Sequence, residues 1–368
     1  MFHPQTAGAG RVRGVWTIET DGSTGPYANS VESYTYLMKQ SQMFLLLTAC
    51  VIPTLAQATS DNDFRLALPD HKGQLKWSVN GFRITENSAK PNGRELGVRG
   101  SDSAGQSTFL GFLFVAPETA PMTSAKCRDA ALAQDKKTNA TLKIIRTSEI
   151  PRQGTLPVAL VTYTTGNRDG STTYTMRGFV AADDICGDLE FYSSKPMSDD
   201  DEVLKRVFSR YQIEPNYTPQ FSDITLYAQV LFQHNEYRAA APMFEKALTM
   251  VPPDGAPFKS AIFARRVLRD QAGMSYGISG DMAKARSIFE KAIADDPAYP
   301  MYYYNLASAD AGEKKLSDAR RHLQQAFDRK ANVNPGETMP KPTEDDSFLP
   351  YKDNREFWTF LQGLQVGK

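Results

Sequence analysis

The residues that most often catalyse reactions or bind metals are sparse and scattered in this sequence. His71, His234 and His322 lie far apart, and none belongs to a histidine–glutamate zinc motif. The carboxylates cluster twice, and we interpret Asp183-Asp184 as a turn and residues 199–202 as an acidic helix N-terminus. The sequence also lacks the glycine–serine elbow of hydrolases and the phosphate-binding loop. It therefore predicts no catalytic residue, no metal and no cofactor.

Residues 38–58 have the parts of a secretory signal peptide. Lys39 follows Met38, an apolar run covers residues 43–55, and Ala56-Gln57-Ala58 supplies the small residues of a cleavage site. The run is shorter than the roughly 20 apolar residues that span a bilayer. A buried core helix is the alternative interpretation. We expect a bacterial protein exported to the periplasm or the extracellular space.

Two further expectations concern the start of the chain. Residues 1–37 are rich in Gly, Ser and Thr without periodicity, so we expect Met38 to be the true start and the preceding leader to be an upstream mistranslation. The run Leu47-Thr48-Ala49-Cys50 resembles a bacterial lipobox, in which Cys50 would carry a lipid anchor. Because the lipobox leaves only a very short apolar region after Met38, we favour the soluble form.

Removal of the signal peptide leaves two cysteines, Cys127 and Cys186. An even pair in an oxidising compartment is a candidate disulfide. Two buried free thiols are the alternative, because cysteine often packs as a small apolar residue.

The charge balance argues against a partner that is recognised mainly by charge. The 368 residues include 42 Lys+Arg and 42 Asp+Glu, which gives a formal net charge of zero. This balance argues against nucleic acid as a partner. Hydrophobic residues make up 41% and charged residues 23%, as in an ordinary globular protein. At about 150 residues per domain, the length indicates two domains.

Residues 60–215 show the alternation of polar and apolar residues that is typical of strands. The clearest hairpin lies within residues 158–180, around a turn rich in Gly, Asn and Asp. A helix over about residues 123–137 is expected to turn Cys127 towards the sheet. This pattern predicts an α+β fold with an antiparallel sheet flanked by helices. The Trp77 region and the order of the elements resemble the PsbP/Mog1 group, which implies the same architecture.

Residues 221–331 carry small and aromatic residues at a regular spacing of about 34 residues. Small residues recur where two helices pack closely, and aromatic residues fill the space between them. The segment resembles the tetratricopeptide repeat family, which implies an all-α domain of three repeats; a generic bundle of amphipathic helices is the alternative. The matching positions are Tyr237, Ala240, Phe244, Ala247 and Pro252, then Gly273, Tyr276, Ala285, Phe289, Ala292 and Pro297, then Ala307, Ala319 and Ala326.

Three segments interrupt or follow the repeats. An insertion of about 11 residues is expected near residues 253–263, because the first two repeats are spaced more widely than the last two. Residues 332–350 have the composition of a proline-rich link, and residues 351–368 form an apolar helix. We expect this helix to cap the last repeat, since a terminal repeat leaves an apolar face open. An exposed helix that binds a partner is the alternative.

The resemblance implies a concave groove lined by the first helix of each repeat. Thr225 and Gln229 stand where a chaperone-binding carboxylate clamp requires Lys and Asn, so that activity is not expected. An apolar or polar peptide is the expected ligand, and plain solvated surface is the alternative. The groove positions are Gln229, Gln233, Asp270, Met274, Tyr304, Asn305 and Ser308.

Taken together, the sequence predicts an exported, non-catalytic interaction or assembly factor that binds a protein or peptide through the groove. One alternative is an enzyme with an unrecognised pocket in the N-terminal α+β domain. The other is a structural subunit in which the repeats only brace the sheet domain.

Overall fold

A computed structural model describes residues 63–102, 108–116, 121–152, 156–198, 201–251 and 261–366. The predicted leader, the signal peptide and the lipobox with Cys50 lie outside these residues, as does the part of the predicted insertion before residue 261. Within the described residues, no helix is both long enough and apolar enough to cross a membrane.

The strands form two antiparallel sheets. The larger sheet has seven strands in the order β3-β4-β5-β9-β8-β7-β6, and the smaller sheet has the order β1-β2-β10. The strands of the described residues are β1 (Asp63–Leu66), β2 (Gln74–Ser78), β3 (Phe82–Ala89), β4 (Glu95–Asp102), β5 (Thr108–Val115), β6 (Lys143–Ile150), β7 (Val158–Gly166), β8 (Thr172–Ala182), β9 (Ile185–Ser193) and β10 (Gln212–Glu214).

The central strands of the large sheet are covered on both faces. Helix α1 (Ser124–Thr138) packs on β7 and β8, and α2 (Glu202–Arg210) lies on the opposite face with the small sheet. Gly178 in β8 allows this second packing, because a Cβ there would collide with the ring of Phe208. Asp201 begins α2 by accepting hydrogen bonds from two backbone N–H groups; the preceding residues 199–200 lie outside the described residues.

Three pairs of α-helices follow the sheets in the described part of the chain. The helices are α3 (Phe221–Gln233) with α4 (Tyr237–Thr249), α5 (Ala261–Ile278) with α6 (Met282–Asp295), α7 (Pro300–Gly312) with α8 (Leu316–Asp328), and then α9 (Arg355–Val366). Within the second pair, Gly273 leaves room for the ring of Phe289. The predicted helical repeat is therefore present. Residues 261–263, the last of the predicted insertion, belong to α5.

The turns inside the three pairs have the same backbone geometry. Each contains a residue with positive φ, and the next residue donates its N–H to the carbonyl five positions earlier. This repetition identifies the pairs as copies of one unit. The equivalent residues with positive φ are Asn235, Gly280 and Lys314, with φ of 63°, 94° and 62°.

Both ends of the helical array are packed against other parts of the chain. At the first end, α3 lies beside β3, and Tyr227 donates its hydroxyl hydrogen to the carbonyl oxygen of Lys90. One continuous apolar core runs from the sheets into α3 and α4. At the other end, Phe357 and Leu361 of α9 are buried in a cluster with Leu323 of α8. The resemblance to the PsbP/Mog1 group remains a prediction.

Candidate functional site

The first helices of the three pairs are joined by hydrogen bonds between side chains. The Nε2 of Gln229 in α3 donates to the Oε1 of Gln271 in α5, at 2.6 Å. The Nδ2 of Asn305 in α7 donates to the Oδ1 of Asp270 in α5. We call α3, α5 and α7 the inner row. These bonds fix the spacing of the inner row along the floor of the predicted groove.

The predicted groove residues differ in their exposure. Gln229, Asp270 and Tyr304 are buried, with 5%, 6% and 2% of their surface exposed. Met274, Asn305 and Ser308 are partly exposed, and Gln233 at the end of α3 is exposed. The structure thus joins Asn305 of α7 to Asp270 of α5, while Tyr304 lies under another segment.

That segment is the predicted proline-rich link. Residues 332–348, which we call the strap, pack along α7 through polar and apolar contacts. The hydroxyl of Tyr304 donates to Asp345 at 2.8 Å, and the hydroxyl of Tyr299 donates to Glu337 at 2.7 Å. Phe348 is fully buried, with its ring centroid 5.9 Å from that of Tyr304. The strap is therefore an ordered part of the fold that covers the third repeat.

Arg266 of α5 anchors the beginning of the strap. Its Nε donates to Asp296 at 2.6 Å, its Nη1 donates to the carbonyl oxygen of Asn332 at 3.1 Å, and its guanidinium lies 4.8 Å from the ring centroid of Tyr299. The sequence does not predict this contact, because Arg266 resembles a surface residue of an amphipathic helix. It holds the strap, the end of α6 and α7 in one place.

Two carboxyl groups near this contact have perturbed pKa values, Asp270 of α5 and Glu337 of the strap. Burial raises the pKa of Asp270 well above its ordinary value, and the nearby charge of Glu337 raises it further, while the hydrogen bond from Asn305 opposes the shift. Burial also raises the pKa of Glu337, against the hydrogen bond from Tyr299. Burial thus makes the ionisation of both carboxyl groups less favourable than it is in water.

The partly exposed residues that the sequence predicts for the groove on α5 and α7 are uncharged. The amides of Gln271 and Asn305 are bonded to Gln229 and Asp270, and the hydroxyl of Ser308 donates to the carbonyl oxygen of Tyr304. Met274 packs partly against the cluster around Phe289. Amides and hydroxyls donate and accept hydrogen bonds without requiring a charged partner.

A second cluster of charges lies in the large sheet, beneath α1. The guanidinium of Arg177 contacts Asp188 and Glu190 of β9 and Asp135 of α1. Burial and the charge of Asp188 raise the pKa of Glu190 to about 8. Both oxygens of Glu190 have protein partners, Arg177 and Tyr192, so the cluster is satisfied within the chain. It acts as a polar link between α1 and the sheet.

The sequence contains a signal for this cluster. Asp183-Asp184 forms the predicted two-residue turn between β8 and β9, and Ala182 pairs with Ile185. Counting outwards from that turn places Arg177 opposite Glu190. The register of a tight hairpin therefore predicts a buried ion pair that residue types alone do not indicate.

The cysteines and histidines occupy structural positions. Cys127 of α1 and Cys186 of β9 form a disulfide, with their Cα atoms 6.1 Å apart, so the free-thiol alternative does not apply. His71, His234 and His322 contact Asp184, the carbonyl oxygen of Asn87 and Asp310, respectively. No group of residues suited to a metal ion occurs in the described part of the chain.

Comparison with known proteins gives only distant likenesses. No protein-family model and no curated protein matches the chain. The TPR domain of Sgt2 from Aspergillus fumigatus is 18% identical, covering 40% of this chain and 81% of that one, with a TM-score of 0.28. MamA from Desulfovibrio magneticus RS-1 is 16% identical, covering 40% and 74%, with a TM-score of 0.29. A multi-domain immunophilin from Arabidopsis thaliana is 8% identical, covering 75% and 99%, with a TM-score of 0.24. The assignment of the repeats rests on their own recurring turns.

Proposed function

We propose that this chain is a non-catalytic interaction or assembly factor that binds an extended segment of a partner protein along the inner row. The observation that carries the proposal is the set of uncharged, partly exposed side chains on α5 and α7, which includes Gln271, Met274, Asn305 and Ser308. Such groups hydrogen-bond to a peptide backbone and accept small apolar side chains between them.

The packing at both ends of the array supports a role in binding. The sheet domain holds α3, and the strap with α9 holds α7 and α8. A surface that is already rigid loses little conformational entropy when a ligand binds. The inner row is therefore prepared to accept a segment without rearranging its helices.

Export is part of the proposal. The disulfide between Cys127 and Cys186 is buried, with 1% and 0% of the two residues exposed, which fits a protein that folds in an oxidising compartment. We propose the periplasm or the extracellular space of a bacterium as that compartment, without a lipid anchor on Cys50.

The test uses one change placed on two faces of the helices. Ser308→Arg puts a charge into the open part of the groove, whereas Ser287→Arg puts the same charge on an exposed position of α6. We expect Ser308→Arg to weaken partner binding by about tenfold or more, or about 1.4 kcal/mol, while Ser287→Arg binds normally. The partner is first identified by affinity capture from the native envelope fraction, and its affinity is then measured for each variant.

Equal binding by both variants, with unchanged melting temperatures, would show that the inner row is not the binding surface. A second candidate function is that the repeats only brace the sheet domain, and the continuous core between the sheets and α3 favours it. In that case Ser308→Arg leaves biological activity intact, while variants that loosen α3 from β3 lose it.

A further inference from the structure

Two exposed isoleucines lie next to each other on β6, the edge strand of the large sheet. β6 pairs with β7 on one side, and the order of the described strands ends with it. Ile144 and Ile145 are 38% and 58% exposed, and in the described part of the chain they are the only neighbours in sequence among the exposed large apolar residues. Single exposed apolar residues are ordinary, whereas an adjacent pair on a sheet edge is typical of a contact surface.

Packing on both sides of the pair holds it at the surface. Leu142 packs on the apolar cluster beneath α1, and Ile150 packs on the core at the opposite face of the sheet. Between these points the register with β7 passes from Ile144 directly to Arg146, so Ile145 is the extra residue of a β-bulge. The path of the backbone between two packed ends therefore exposes the isoleucines.

The chain around the pair is positively charged. Residues 136–148 contain four Lys or Arg residues and no Asp or Glu, although the whole chain has a net charge of zero. Lys136, Lys137 and Lys143 are exposed, and none of them forms an ion pair within the described residues. The preceding carboxylate, Asp135, is engaged in the ion pair inside the sheet domain. The positive charge of this segment is thus presented to the solvent.

Short hydrogen-bonded turns bring these charges to the same corner of the sheet domain as the isoleucines. The last turn of α1, which holds two of the lysines, is followed by a turn in which the N–H of Leu142 donates to the carbonyl oxygen of Asn139 at 3.2 Å. The N–H of Gly166 donates to the Oγ1 of Thr141 at 3.1 Å, which holds this turn beside the hairpin of β7 and β8. The exposed Arg168 lies at the tip of that hairpin.

Charge and shape favour a lipid surface as the occupant of this corner. A second copy of the chain would bring two positive edges together, and like charges repel each other. A partner strand added to β6 would have to cross the bulge, which interrupts the regular row of backbone groups. An anionic bilayer requires no register, because its headgroups attract lysines and its interfacial layer accepts apolar side chains.

We propose that the basic corner, which consists of Lys136, Lys137, Lys143, Ile144 and Ile145, docks the sheet domain on the surface of an anionic lipid bilayer. The isoleucines enter the interfacial layer, and the lysines contact the lipid phosphates. This attachment is peripheral and requires no helix that spans the membrane. It does not rest on the proposed binding role of the inner row, since the corner belongs to the sheet domain.

Flotation of the full chain with lipid vesicles tests the proposal. We expect the chain to bind vesicles of phosphatidylcholine mixed with phosphatidylglycerol, and to bind vesicles of phosphatidylcholine alone at least about tenfold more weakly. Binding to the anionic vesicles should fall as the salt concentration rises, because salt screens the charges. Every variant carries the same N-terminus, so differences between variants report on the basic corner.

Two double variants separate the charged and the apolar contributions. Lys136→Gln with Lys137→Gln removes two charges and leaves the strand unchanged. Ile144→Ser with Ile145→Ser removes the apolar side chains and leaves the charges. Each double variant should lower the partition coefficient for anionic vesicles by about tenfold or more. Melting temperatures check that both variants fold, and the lysine variant serves if the isoleucine variant does not.

Matched controls carry the same kinds of change elsewhere. Lys291→Gln with Lys352→Gln removes two exposed lysines of the helical part, and Val203→Ser removes an apolar side chain of α2 that is 62% exposed. Both controls should bind vesicles as the unchanged chain does.

Three results would overturn the proposal. These are equal binding to anionic and neutral vesicles, basic-corner variants that bind as tightly as the unchanged chain, and a chain that binds no vesicles. The last result is expected if a partner protein covers β6 instead. None of these results bears on partner binding by the inner row, which Ser308→Arg tests separately.

Discussion

Phe348 provides the most direct test that the strap is part of the folded core. Its side chain is fully buried, and its ring lies 5.9 Å from that of Tyr304 and 6.2 Å from that of Phe357, between centroids. Phe348→Ala removes both aromatic contacts and leaves a cavity beneath α9. Such truncations lower the free energy of unfolding by about 3–5 kcal/mol.

The neighbouring residue supplies a matched control. Leu349 is 39% exposed, so Leu349→Ala should change the free energy of unfolding by about 0.5 kcal/mol or less. Both variants alter one apolar residue of the same segment, and a flexible link would tolerate either change equally. The difference between them therefore measures how firmly the strap is packed.

The assay is urea unfolding followed by far-UV circular dichroism, with the helical signal reporting the repeats. We expect the helices of the Phe348→Ala variant to unfold at a lower urea concentration. The shift should correspond to a loss of about 3–5 kcal/mol in the free energy of unfolding. Equal transitions for Phe348→Ala and Leu349→Ala would refute the reasoning, because the strap would then contribute nothing to the stability of the repeats.

Two further predictions concern the sheet domain. Arg177→Met leaves Asp188 and Glu190 buried without a cation, and it should lower the free energy of unfolding by about 3–5 kcal/mol at pH 8, with Arg210→Met on the surface as control. The loss of unfolding free energy should be smaller at pH 5, because Glu190, with a pKa of about 8, is protonated there. Thermal unfolding at both pH values checks this expectation, and an equal loss at the two values would contradict it. Reducing the disulfide between Cys127 and Cys186, 59 residues apart, should cost about 4 kcal/mol, measured by melting with and without reductant. An unchanged melting temperature after verified reduction would contradict that expectation.

The repeats could be predicted because local spacing determines how two helices of a pair meet. Where α5 crosses α6, Gly273 leaves space for the ring of Phe289. The sequence shows this close contact as a small and an aromatic residue at fixed positions of the repeat. Tyr276 shows the limit of this reasoning. It packs against the cluster of Ala285 and Phe289, as expected, but it is only half-buried. Its hydroxyl also donates a hydrogen bond to Glu245 of α4, a contact between pairs that the spacing does not reveal.

The exposure of the groove could not be predicted in the same way. Helical periodicity indicates which side chains share a face, and Asp270 and Tyr304 do lie on the inner row. It does not reveal what later packs on that face. Residues 332–350 contain four prolines, which suggested a link, while the contacts that order the segment come from Glu337, Asp345 and Phe348. These contacts join residues more than 35 positions apart, beyond the reach of any local pattern.

Both ends of the repeat array are covered by other parts of the chain, which limits how the repeats can assemble with other copies. Solenoids grow by adding repeats to an open apolar face, and they assemble with other copies through the same face. Here α3 is buried against the sheets, and α8 is covered by Phe357 and Leu361 of α9. Stacking of one copy on another through the repeat ends would first have to remove α9 or detach the sheet domain. The ends of the array are therefore not open surfaces for stacking, which is why we propose that a partner binds along the inner row.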